Sequence, residues 1–133
     1  MIYRKLHGYK YETLEQVTVP CFITEAIEAH YVTLSGGTLT IAPHYAWDGA
    51  SGPTIDTKST MVGSLVHDAL YQLIREGHLA MRWRKKADEM LRDVCIEHGM
   101  LRIRANIWYR MVRLFGKRSA LPRKRPRGVV LRV

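Results

Sequence analysis

The chain is poor in cysteine. It has two, Cys21 and Cys95, far apart and in no paired motif. A disulfide scaffold needs more, and a zinc ribbon needs closely spaced pairs, so the fold leans on neither. No apolar run approaches the roughly 20 residues that cross a bilayer. The opening Met1-Ile2-Tyr3-Arg4-Lys5 is not followed by the apolar stretch of a secretory leader. These absences predict synthesis in a reducing cytoplasm, without a signal peptide. Acidic residues are absent from residues 117–133, which carry Lys117, Arg118, Arg123, Lys124, Arg125, Arg127 and Arg132. The first 116 residues then hold 21 − 7 = 14 basic against 12 acidic side chains, so most of the net charge of +9 sits in the last 17 residues. A segment of this kind suits DNA, anionic lipid or an acidic protein neighbour. It is equally a solvated terminus, and it lacks the interleaved aromatics of a base-stacking surface.

What is present is globular. Of the 133 residues, 47% are hydrophobic and 25% charged, enough for one domain with its own core. The reading is a single α+β domain over residues 1–116, followed by a basic, flexible tail over 117–133. Residues 14–19 alternate at period two, and Pro20 closes them as a strand. Residues 31–34 and 38–41 are β-rich runs around Ser35-Gly36-Gly37, which predicts a hairpin. Residues 43–56 are rich in glycine and proline and predict a long loop of the functional kind. Three helices should follow. The first is capped by Thr57 or Ser59, faces the core with Met61, Leu65, Ala69, Leu70, Leu73 and Ile74, and ends at Gly77. The second runs from Arg84 to Glu97 with Ala87, Leu91, Val94 and Cys95 inward, and Gly99 stops it. The third runs from Ile103 to Phe115 with Ile107, Met111, Leu114 and Phe115 as its core face, and Gly116 stops it.

The chemistry-bearing residues gather on the first two helices and the loop before them. His67 and Tyr71 are four apart and share a helix face; Asp68 and Tyr71 are three apart and are neighbours. Asp88 stands on or beside the apolar stripe of the second helix, where a carboxylate is costly unless paired. A short connection packs the two helices antiparallel, which makes His67 the natural partner of Asp88. A histidine held by a buried aspartate has the geometry of a general base. Asp48 in the glycine-rich loop and Asp68 could supply an oxygen-rich cage for a hard cation such as Ca²⁺, with Gly49 and Gly52 letting loop carbonyls turn inward. The same residues could equally tie two helices and a loop together. His44, His67 and His78 have no zinc spacing. Cys95 reads as a small core residue, and Trp47, Trp83 and Trp108 as core or rim.

The run Trp47-Asp48-Gly49-Ala50-Ser51-Gly52-Pro53, then His67-Asp68-Ala69-Leu70-Tyr71, then Arg84-Lys85-Lys86-Ala87-Asp88, then the run from Tyr109 to Gly116 resembles a family of short uncharacterised proteins of tailed phages and prophages. The match covers residues 14–116. It implies a phage or prophage origin, synthesis in the host cytoplasm and association with the virion, but no mechanism.

A second resemblance is chemical. Asp-Gly-x-Ser, His-Asp-x-x-Tyr and an aspartate on an antiparallel helix are similar to the secreted phospholipase A2 pattern of bacteria and fungi. Carried over, His67 is the general base and Asp88 orients it. Asp68, Asp48 and the Gly49 carbonyl bind calcium, and Tyr71 and Ser51 support the network. The pattern departs from the phospholipases at Gly63, Ser64 and Leu70, where they place cysteines.

Two functions of different class follow. One is a calcium-dependent ester hydrolase acting on a lipid or cell-envelope component. The other is a non-catalytic virion protein of tail or neck, or an assembly component. In that second case the tail residues Arg118, Arg123, Lys124, Arg125 and Arg127 bind DNA or a neighbouring subunit.

Overall fold

Gly36 and Gly37 both adopt positive φ, +57° and +79°, which turns the chain between two β-rich runs with the twist a tight hairpin needs. The computed structural model describes residues 1–5, 11–47 and 58–122. The hairpin joins β5 (Val32–Ser35) to β6 (Thr38–Ile41). β3 (Val17–Pro20) and β4 (Ile27–Glu28) flank them, giving an antiparallel sheet in the order β3-β6-β5-β4. β1 (Tyr3–Lys5), β2 (Tyr11–Thr13) and β7 (Ala46–Trp47) form a second antiparallel sheet in the order β1-β2-β7.

Three sequence expectations about these strands need correction. The strand expected over 14–19 starts only at Val17 and includes Pro20, opposite Thr38. Proline is tolerated there because β3 is an edge strand. The expected single sheet is two. Residues 46–47 of the loop expected over 43–56 are the strand β7, where Trp47 pairs with Tyr11 and Ala46 with Glu12, and residues 48–56 lie outside the described residues. Trp47 is buried against Tyr3 and Tyr11, and this aromatic cluster outweighs the local glycine and proline signal.

The helices follow as α1 (Lys58–Arg75), a 3₁₀ turn (Met81–Trp83), α2 (Arg84–Glu97), α3 (Arg102–Phe115) and the short α4 (Lys117–Ala120). The fold is α+β, as the element pattern predicts. α1 is the central helix: 13 of its 18 residues are buried, between the strands on one side and α2 on the other. Leu34, Leu39, Ile41, Trp47, Leu65 and Leu70 meet in that core. Gly63 brings α1 onto α2, where an added Cβ would collide with the Cys95 sulfur. Gly77 and Gly99 end α1 and α2 at φ +82° and +102°, as expected for left-handed caps. Gly116 does not cap in that way. Its φ is −82°, and α4 begins directly after it. A Cβ there would lie 2.5 Å from the Val112 carbonyl and 3.0 Å from the Tyr71 hydroxyl, so glycine is needed for close approach.

α3 is rotated relative to the sequence reading. Ala105 and Trp108 are its buried residues, packed with Leu91, Cys95 and Met100 of the α2 end. The expected core residues Ile107, Met111, Leu114 and Phe115 are exposed. The helix carries two apolar stripes, and it docks through the one that bears Trp108. Past residue 116 the chain stays packed for a turn: Ala120 is fully buried, and Arg75 donates to the Ser119 carbonyl at 2.8 Å. Among the described residues no helix is long and apolar enough to cross a membrane.

Candidate functional site

Helical periodicity places His67 and Tyr71 on one face of α1, with ring centroids 4.0 Å apart. Both reach Asp88 on α2. His67 Nε2 lies 2.7 Å from Asp88 Oδ1, and the Tyr71 hydroxyl donates to the same oxygen at 2.6 Å. Asp88 Oδ2 accepts from Arg113 Nη1 of α3 at 2.8 Å. Arg84 stands one turn before Asp88 with Nη2 4.0 Å from Oδ2. Its Nε donates to the Tyr71 hydroxyl at 3.0 Å, and Nη2 donates to the carbonyls of Val112 and Arg113 at 2.8 and 3.0 Å. Those carbonyls belong to the last turn of α3, where Val112 also accepts from the Gly116 N–H at 2.8 Å. One buried carboxylate thus joins three helices.

Asp88 is 0% exposed, so every donor around it acts in a medium where water competes little. Burial alone would raise its pKa. The hydrogen bonds from His67 and Tyr71, the charge of His67 and the Arg113 bond outweigh burial and hold the carboxyl below its ordinary value. It is therefore an acceptor, and the proton on its bond to His67 belongs to Nε2. Tyr71 is driven the other way: burial and then the neighbouring carboxylate raise it far above an ordinary phenol, so it stays a donor. With Nε2 donating to Asp88, the form of the imidazole that has lost its other proton carries the lone pair on Nδ1. Among the described residues Nδ1 has no hydrogen-bond partner, and the His67 side chain is 14% exposed.

Trp47 fixes the chain on α1. Its indole donates to Ser64 Oγ at 3.1 Å, three residues before His67, and Ser64 in turn donates to the Met61 carbonyl. The expected calcium residues Asp48 and Gly49 and the supporting Ser51 lie outside the described residues, as do the tail residues Arg123, Lys124, Arg125 and Arg127. Arg118 sits exposed on α4. Asp68 is half-buried on α1, beside His67 in sequence. Its carboxylate is the donor type a hard cation takes. Among the described residues no three His, Cys, Asp or Glu side chains converge to hold a metal. His44 pairs instead with Glu12 at 2.6 Å, and His78 stands near Glu76.

The cysteines take no part. Burial pushes the Cys95 thiol up to about 12, and its sulfur points at the Ser59 carbonyl. Cys21 is buried against the Met90 sulfur at 3.4 Å.

The sequence reading brought together His67, Asp88 and Tyr71 and missed both arginines. Arg84 was legible, because it stands four residues before Asp88 on the same helix face. Arg113 was not, because only the packing of α3 brings it to Asp88. No family model, curated protein or solved structure matches this chain.

Proposed function

We propose that the protein is an ester hydrolase of the phospholipase A2 type, with His67 as general base and Asp88 as the group that orients it. The observation that carries this reading is the bond from His67 Nε2 to a fully buried, ionised Asp88, with Nδ1 left without a hydrogen-bond partner among the described residues. In the reaction, Nδ1 takes a proton from water as the water oxygen bonds to the ester carbonyl carbon. The imidazolium is stabilised by Asp88. The carbon–oxygen bond to the alcohol then breaks, and the proton on Nδ1 passes to the departing alkoxide. The products are a carboxylic acid and an alcohol. Asp68, with Asp48 and the Gly49 carbonyl, is the donor set for a calcium ion, which when bound supplies a positive charge for the developing oxyanion.

The test is fatty-acid release from phosphatidylglycerol in mixed micelles with millimolar calcium, for wild type, His67→Gln and Asp68→Asn. Release by wild type that both substitutions abolish, with the far-ultraviolet circular dichroism unchanged, supports the reading. No release by a folded wild type, or equal release by His67→Gln, refutes it. Calorimetric titration with calcium separates the two roles: Asp68→Asn loses the metal, and His67→Gln keeps it.

The exposed apolar face of α3 favours a second reading, a virion or assembly component that docks on another protein.

A further inference from the structure

The outward stripe of α3 consists of Ile103, Ile107, Met111 and Leu114, with Phe115 beside it. They are 72%, 59%, 43%, 73% and 70% exposed. The spacing of four, four and three residues keeps the first four on one face. A contiguous apolar band along an entire surface helix is unusual for a protein that stands alone. With 3.6 residues per turn, Arg104 borders the band on the Met111 side and Arg110 on the Ile103 side. All four charges of α3, namely Arg102, Arg104, Arg110 and Arg113, are arginine. From residue 98 to 133 the sequence has 11 basic residues and no acidic one, whereas residues 1–97 hold 21 − 11 = 10 basic against 12 acidic.

We propose that this face of α3 binds an acidic amphipathic helix of another protein, with an aliphatic seam on the stripe and Asp or Glu flanking it. Charge decides against a second copy of the chain. Two stripes laid together would set arginine against arginine, with no carboxylate on either α3 to relieve it. The placement of Trp108 and Tyr109 argues against a lipid surface. Trp and Tyr are the side chains enriched at a membrane–water interface. Here Trp108 is turned inward, and the Tyr109 ring lies 4.9 Å beneath the Arg92 guanidinium. Isoleucine, leucine and methionine at helical spacing fit the seam of a partner helix, and arginine forks pair with carboxylates in two-bond geometry. Protein interfaces also favour Met and Arg over Lys, which matches this face. The assignment does not depend on hydrolysis at His67.

The experiment uses the full chain and two synthetic helical peptides of about three heptads. Both carry Ile and Leu at the seam; one has Glu at the flanking positions and the other Lys. Calorimetry at low and high salt, with wild type and Ile107→Asp, reads binding. The acidic peptide is expected to bind at least about tenfold tighter than the basic one, a difference of about 1.4 kcal/mol, and to weaken as salt rises. Ile107→Asp should lose that binding and keep the wild-type unfolding midpoint, because the residue is exposed. Equal binding of both peptides, or of neither, overturns the proposal. Sedimentation with phosphatidylglycerol vesicles that Ile107→Asp abolishes assigns the face to lipid and also overturns it. A concentration-dependent dimer that Ile107→Asp dissolves assigns the face to a second copy, with the same consequence.

Discussion

Arg113 of α3 donates to Asp88 Oδ2 at 2.8 Å while His67 of α1 holds Oδ1 at 2.7 Å. The two oxygens of one carboxylate thereby fasten two different helices to α2. The bonds from His67 and Tyr71, with that from Arg113, keep Asp88 ionised without water. Neutralising a buried carboxylate removes the reason for each donor to be there, so the network stands or falls together.

Asp88→Asn should therefore destabilise the fold by about 3–5 kcal/mol, because it leaves Arg113 and Arg84 facing a neutral amide. Urea unfolding followed by circular dichroism measures this. A loss under about 1 kcal/mol would show that the arginines are solvated as well without the carboxylate as with it.

The same group sets a pH dependence. The folded carboxyl is held below its ordinary value, so the unfolded chain binds its proton more readily than the folded one. The stability it contributes is complete above the ordinary carboxylate value, about 4, and is lost as pH falls from there through the lower folded value. Urea midpoints of wild type should drop between pH 6 and pH 3 more steeply than those of Asp88→Asn. Parallel curves would sink the assignment.

Tyr71→Phe removes one donor to Asp88 and the acceptor of Arg84 Nε, and leaves the ring in place. The expected cost is about 1–3 kcal/mol, the range for a buried hydrogen bond to a charged group. In the proposed hydrolysis this variant keeps measurable activity, since His67 and Asp88 still meet directly. Complete loss in a folded Tyr71→Phe would give the hydroxyl a role beyond support.

Gly63→Ala tests the contact of α1 with α2. The new methyl would overlap the Cys95 sulfur and press on Leu91, so destabilisation of about 1–3 kcal/mol is expected. Combining it with Cys95→Ala makes room and should recover part of the loss. Thermal midpoints of the two variants decide the matter.

Cys95 should be inert to a water-soluble disulfide reagent in the native protein, since it is fully buried and its thiol is raised to about 12. Cys21 should be equally silent. Both should react once the protein is unfolded in urea. Fast labelling of a native cysteine would mean that the α1–α2 contact opens.

The sequence by itself determined the parts of this protein that local chemistry controls. Two glycines able to take positive φ set the β5–β6 hairpin, and apolar periodicity with a left-handed glycine past the C-terminus of each helix set α1 and α2. The spacing of His67, Tyr71 and Asp88 on two joined helices was enough to bring them together, because a short connection leaves antiparallel packing as the simple solution. Tertiary structure decided the rest. β7 forms because Trp47 gains a buried aromatic cluster that its glycine-rich neighbours do not announce. α3 has two apolar stripes, and periodicity ranks them without regard to what each would meet; Trp108 and Ala105 fit the α2 end, so the more aliphatic stripe faces out. Arg113 reaches Asp88 only after that choice is made, since it is 25 residues away in sequence and on another helix.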